Sequence, residues 1–477
     1  MSLSFPTFDL QNPDKIYNDI IKQPILLSYF YIYLFRHAKD INFSLFSKNI
    51  QTLSKKINSF SPNKNYDMYI CLSCIFGAFL GDSLGGHCEF MSSSPYNHEK
   101  IYTNERFQNG QTTDDSEMSI SKAFAIMDMP DINNLDQNLL FYYYGIWIFS
   151  MPLDQGFTTS SALQNFRIQT MPINNKNLFT SEIRKKIALE NCNSKANGGL
   201  MRLSTLIVWF YYKNKNEIKN VLKSNNLEKF FELYSKIYLE VEKDFEITHP
   251  NKENIVSGAL LTFMTLCTMN QYNGNETINK LLILLDNNIF NISSPENILK
   301  SLVKNTLAEI KSKTFEKFEH FKNVTINQGY YVHAFKLTLY YLAVIDKRKE
   351  TENLIYLNII KEICDYGGDT DTNACIVGTV IGPIIGYLNF TGDILFQNLI
   401  NFFNPNRIIY TTSLMYFFVE YLDNYFNKNK KEGNNFIKFN TLKIILNMLT
   451  KEINLYNYIK IKIYILNIYL MRIGELN

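Results

Sequence analysis

The chain has 477 residues, 46% hydrophobic and 19% charged, with 12 proline and 20 glycine; collagen-like and disordered classes need far more Gly, Pro or net charge and are excluded. Its 48 basic and 45 acidic side chains leave a net charge of +3, too small and too dispersed to argue for a nucleic-acid partner. Seven cysteines, an odd number, speak against a secreted disulfide framework and for a reducing compartment.

Residues 1–65 open without the basic start and apolar run of a secretory signal. The longest early apolar stretch, residues 25–35, is about half of the roughly 20 residues that span a bilayer, which predicts a buried helix and no membrane anchor. Ser61-Pro62-Asn63-Lys64-Asn65 punctuates the chain, so an N-terminal helical extension is expected to end there. From Tyr66 to about Asn427 helix is expected to follow helix. In residues 252–269, Ile255, Ala259 and Phe263 form one four-residue row, and Val256, Leu260, Met264 and Cys267 the next, a broad apolar helical face. Residues 227–241 and 329–344 read similarly. Period-two alternation is almost missing from this region, which disfavours a parallel-sheet enzyme. Residues 427–435 (NKNKKEGNN) read as a polar linker. The tail 436–477 alternates like a strand over residues 459–470 and carries no functional signal.

Gly77, Gly81 and Gly85 recur every four residues, as do Gly378, Gly382 and Gly386. On a helix this bares one face, at about 1 kcal/mol per glycine relative to alanine, so close helix packing is expected. Three carboxylate clusters accompany these stripes: Asp82 followed by Glu89; Thr113-Asp114-Asp115-Ser116-Glu117; and Gly368-Asp369-Thr370-Asp371-Thr372. The last two stand at expected helix starts, where Asp and Thr cap naturally. A cap needs one side chain, however, and the surplus negative charge calls for a hard divalent cation with oxygen ligands. No His or Cys lies in the last two clusters, so zinc fits poorly. Four aspartates suit two ions roughly 3.5–4 Å apart.

The ordered motifs GDSLGGHCEF, TDDSEM and GGDTDTNA resemble the three signatures of the ADP-ribosylglycohydrolases. Further stretches are similar to that family's segments: Asp154-Gln155-Gly156-Phe157-Thr158-Thr159, Ser194 to Arg202, Thr248-His249-Pro250 and Gly329-Tyr330-Tyr331-Val332. The resemblance covers residues 66–427 and leaves 1–65 and 436–477 outside. It implies an all-α, compact orthogonal helical bundle around a central di-metal site holding two Mg²⁺, with Mn²⁺ the alternative. By motif it implies Thr113, Asp114, Asp115, Asp369, Asp371 and Thr372 as metal ligands. It implies Glu89, Asp115 and Asp154 as catalytic carboxylates, and Ser194, Asn197, Gly198, Gly199, His249 and Gly368 as the ADP-ribose site. Ser116, His87 and Thr112 depart from the usual Thr, Pro and aromatic residue, and none of them is an implied ligand.

The motifs around Asp154 and Asn197 look nearest the bacterial arginine-directed, dinitrogenase-reductase-activating branch. The implied activity is therefore Mg²⁺-dependent hydrolysis of the N-glycosidic bond between ADP-ribose and a protein arginine. The alternatives are hydrolysis of serine-linked ADP-ribose or O-acetyl-ADP-ribose, and a silent ADP-ribose binder. The expected partner is an ADP-ribosylated protein and the expected compartment the cytoplasm, with the nucleus as alternative. Cys71 and Cys74 read as buried side chains one turn apart, His320 and His333 as surface or satisfied residues, and Phe141 to Tyr144 as core.

Overall fold

The structure, a computed structural model, describes residues 65–102, 111–150, 154–164, 178–224, 226–286, 294–312, 322–390 and 415–428, with Lys15, Asp19, Pro152 and Phe166. The 25–35 and 459–470 stretches, His320 and nearly all of the expected terminal extensions lie outside the described residues.

Among the described residues every regular element is helical. In chain order the helices are α1 (Tyr66–Gly85), α2 (Asp114–Asp128), α3 (Gln137–Phe149), α4 (Phe157–Leu163), α5 (Ser181–Asn191), α6 (Leu203–Lys223) and α7 (Leu227–Phe245). There follow α8 (Lys252–Met269), α9 (Gly274–Asp286), α10 (Ser294–Lys311), α11 (Tyr331–Thr351), α12 (Ile355–Tyr366), α13 (Thr370–Ile385) and α14 (415–423). Among the described residues β pairing is confined to two single bridges, Met91 with Gly368 and Ala196 with Tyr330. The all-α architecture agrees with the sequence reading.

The helix limits follow from local chemistry. The Asn251 side chain accepts from the Glu253 and Asn254 amides and starts α8, whose two apolar rows are both buried, as befits a helix apolar nearly all round. In α7, Phe230, Leu233, Tyr234, Ile237 and Val241 turn one face inward at helical spacing. Phe141 to Tyr144 are buried in α3, Cys71 and Cys74 are buried free thiols, and His333 is satisfied by the Ile326 carbonyl at 2.9 Å.

The centre is the α1–α13 pair, which makes the most extensive helix–helix contact of the fold. The two glycine stripes face each other. A Cβ on Gly77 would stand 2.3 Å from the Gly378 carbonyl oxygen, one on Gly81 2.3 Å from that of Ala374, and one on Gly85 2.5 Å from that of Thr370. From the other side, a Cβ on Gly382 would meet the Ser73 carbonyl at 2.4 Å. These contacts run antiparallel, so the end of α1 lies beside the start of α13. The Thr370 hydroxyl locks the junction by donating to the Gly85 carbonyl at 2.7 Å. The stretch from Tyr66 to Cys88 is apolar and long enough for a bilayer span, yet its apolar window is 94% buried inside the protein, the burial of a core helix.

Candidate active site

Three helix ends converge where α1 meets α13. Asp82, in the last turn of α1 and fully buried, caps α2 from outside. Its carboxylate accepts from the Thr113 amide at 3.0 Å, the Thr113 hydroxyl at 2.8 Å, the Ser116 amide at 3.1 Å and the Ser116 hydroxyl. Thr113 is the N-cap residue of α2 and Asp369 that of α13, but neither side chain makes a cap hydrogen bond. This differs from the capping role the sequence suggests. Because Asp82 supplies the acceptor at α2, the Asp and Thr oxygens there are released toward the centre.

Those oxygens gather closely. Carboxylate oxygens of Asp82, Asp115 and Asp371 lie within 4.8 Å of one another, and so do those of Glu89, Asp154 and Asp371. Asp371 belongs to both groups. The Thr113 and Thr372 hydroxyls reach Asp115 Oδ2 at 3.1 and 3.3 Å, while Asp115 Oδ1 is buried with no hydrogen-bond partner among the described residues. Asp369 Oδ2 accepts from Asn197 Nδ2 at 2.8 Å and Asp114 Oδ2 from the Gly156 amide at 3.3 Å. Asp154 Oδ1 accepts from the Gln155 amide at 2.8 Å.

So much buried negative charge is costly without a counter-charge. Burial, then the charges of Asp154, Asp82 and Asp369, pushes the Asp114 carboxyl up to about 8. Burial and the neighbouring Asp82, Asp114 and Asp369 push Asp115 well above the carboxylate range. Asp371 is raised likewise by burial and by Glu89, Asp369 and Asp115. Asp82 is raised to about 6 by burial, with the Ser116 and Thr113 hydrogen bonds pulling it back. An all-oxygen donor set with an orphaned buried carboxylate oxygen fits hard divalent cations. The nearby Cys375 thiol is held protonated, raised by burial and then by the charge of Asp115.

The other sequence-expected residues form the surrounding wall. The Asn197 amide donates to the Gly329 carbonyl at 2.8 Å, which ties the 197–199 turn to the start of α11. Ser194 Oγ lies 2.8 Å from Thr158 Oγ1. Gly198 packs under His249, with a Cβ there only 2.8 Å from the imidazole, and Gly199 packs against the Phe245 ring at the same distance. His249 is buried, and burial followed by the Arg202 charge lowers its pKa to about 3, so the ring is neutral. Gly368, at φ +75°, donates its amide to the Met91 carbonyl at 2.9 Å and accepts from the Phe90 amide at 2.6 Å. It thereby fastens the loop after Glu89 to the start of α13.

Sequence reading missed a buried charge network behind this wall. Lys122, Asp244 and Arg202 are each fully buried. Lys122 Nζ donates to Asp244 Oδ2 and to the Arg202 carbonyl, each at 2.7 Å. Arg202 donates to Thr248 Oγ1 at 2.8 Å, and Thr248 Oγ1 lies 2.8 Å from His249 Nδ1. Burial would raise the Asp244 carboxyl, but Arg202 and Lys122 hold it below its ordinary value. Burial lowers Lys122 to about 8 against the pull of Asp244. The network anchors the 197–199 turn and His249 from within. Arg202, Thr248 and His249 fall in resembled stretches, but Lys122 and Asp244 do not.

Residues 70–397 match the profile of the family described as ADP-ribosylglycohydrolase. A protein of Acanthamoeba polyphaga mimivirus, named provisionally as an ADP-ribosyl glycohydrolase, is 25% identical over 342 residues, 69% of this chain and 90% of that protein. A solved structure titled as an ADP-ribosylglycohydrolase-related protein complex aligns with a TM-score of 0.43 at 14% identity, over 74% of this chain and 99% of that one.

Proposed function

The chain belongs to the ADP-ribosylglycohydrolase family, and from that premise we propose that it removes ADP-ribose from protein arginine by Mg²⁺-dependent hydrolysis of the N-glycosidic bond. The family membership carries the coarser activity, glycoside hydrolysis of ADP-ribose conjugates. The observation that carries the finer reading is the sharing of Asp371 between two carboxylate groups, one completed by Asp82 and Asp115 and the other by Glu89 and Asp154. Thr113, Asp114, Asp115, Asp369, Asp371 and Thr372 would hold the cations. Bound Mg²⁺ supplies a Lewis acid that orients hydroxyl groups and makes a water more acidic.

The chain's own residues account for the rest. As the C1″–N bond breaks, its electron pair leaves with the guanidine nitrogen and the ribose ring gains positive charge. The carboxylates around Asp371 stabilise that charge, the more so because they are buried. Glu89 and Asp154, both half-buried, reach the centre from outside the main ligand set, and Glu89 takes the proton of the attacking water. Asn197, held by Asp369 and by Gly329, presents the turn on which the ADP-ribose lies. Glu89 and Asp154, which lie beside Asp371 outside the main ligand set, favour a cationic guanidinium, and this supports the arginine reading.

The test incubates the purified chain with arginine-, serine- and acetyl-linked ADP-ribose, with Mg²⁺ and with EDTA, and detects free ADP-ribose. Mg²⁺-dependent release from the arginine conjugate is expected. Release only from the serine or acetyl conjugate would overturn the arginine reading, and release from none would favour a silent binder.

A further inference from the structure

A polar cavity of about 410 Å³ lies at the opposite end of α1 from the acidic centre. Tyr66 opens that helix and Asp82 stands near its close, which at 1.5 Å per residue places the two roughly 24 Å apart. The cavity is basic. Lys215, Lys219 and Lys223 are spaced four apart on α6 and line it together with Tyr66, Gln271 and Tyr272. Like charges at this spacing repel on a helix. Lys215 is neutralised by Asp67 at 2.7 Å, but among the described residues Lys219 and Lys223 have no ion pair. Nor are they occupied as caps of α6: the Leu222 carbonyl in its last turn already accepts from Lys280 Nζ at 2.7 Å and from the Tyr272 hydroxyl at 2.8 Å. Gln271, at φ +69°, and the neighbouring Asn270 and Asn216 bring amide groups to the wall.

We propose that this cavity binds a small polyphosphate anion, a di- or triphosphate chain either free or carried by a nucleotide, at a site separate from the acidic centre. Lys219 and Lys223, about one turn apart on α6 and without an ion pair among the described residues, can each reach a different phosphate of one chain, and the volume falls in the ~300–1,000 Å³ range of small-ligand sites. The inference does not depend on the proposed hydrolysis.

Calorimetric titration of the full chain with inorganic triphosphate and with ATP, in buffer free of divalent ions, tests it. One saturable site is expected, weakened about tenfold or more in the Lys219→Glu, Lys223→Glu double variant by loss of charge-assisted contacts, and retained in the Asp115→Asn, Asp371→Asn variant. Both lysines are exposed, and far-UV circular dichroism confirms that their variant folds. Tighter binding of ATP than of triphosphate would assign the base to the phenol and amide wall. Lack of saturable binding, or binding unchanged by the lysine substitutions, would overturn the proposal, as would its loss in the aspartate variant.

Discussion

Replacing Gly81 by alanine tests whether contact between α1 and α13 builds the centre. The added Cβ would stand 2.3 Å from the Ala374 carbonyl oxygen and 2.6 Å from its carbon. That is more than roughly 1 Å inside the separation that non-bonded atoms prefer. Both obstacles are backbone, so no side-chain rotation relieves them, and the helices must separate. Alanine gains about 1 kcal/mol of helix propensity over glycine. Overpacking a dense interior costs about 1–3 kcal/mol, and a backbone obstacle places this case at the upper end, for a net loss of about 1–2 kcal/mol. Separation also moves Asp371 away from Asp82 and Asp115, so the variant should gain less thermal stability from Mg²⁺ than the wild type. Gly378→Ala, whose Cβ would lie 2.2 Å from the Gly77 carbonyl oxygen, should lose a similar amount. Denaturant melts with and without Mg²⁺ measure both effects. Two variants as stable as the wild type would refute the packing argument.

Other expectations concern charge. Glu89→Gln should lower turnover by about 10²–10⁴-fold, the usual share of a general base, while calorimetric binding of ADP-ribose changes little; equal losses in both would make Glu89 a shaping residue instead. In metal-free protein the Asp114 carboxyl stands near 8, against an ordinary 3.8. Between those values the folded chain holds a proton that the unfolded chain releases, so stability falls as pH rises through this window. Melting under EDTA should therefore be higher at pH 5 than at pH 8, with saturating Mg²⁺ narrowing the gap; a melting point that climbs with pH under EDTA would contradict it. Lys122→Met should cost about 1–3 kcal/mol, the usual penalty for leaving a buried polar group short of a partner, because Asp244 loses its 2.7 Å partner but keeps Arg202; an unchanged denaturant midpoint would show the network to be dispensable.

Much of this was legible locally. The apolar rows of residues 252–269 coincide with α8, and those of 227–241 fall within α7, which runs on to Phe245. The Asp114-Asp115 and Asp369-to-Thr372 clusters do begin helices. The glycine stripes announced close packing, but period alone does not name the partner, and only the fold shows that each stripe serves the other. Asp82 stood in a recognised motif without a role, because its hydrogen-bond partners Thr113 and Ser116 lie 31 and 34 positions further on. The Lys122–Asp244 pair spans 122 positions, and no local pattern marks a lysine that will be buried. Capping was misread for the same reason: the acceptor for α2 comes from another helix.

In the proposed function Asp371 joins two carboxylate groups into one site for two cations. Counting the ions bound per chain by calorimetric titration with Mg²⁺, in the wild type and in Asp371→Asn, tests it most directly. Two ions should bind to the wild type and both should be lost in the variant, with the hydrolysis of ADP-ribosyl-arginine lost alongside. No ion bound by the wild type, or two still bound after Asp371 is neutralised, would contradict it.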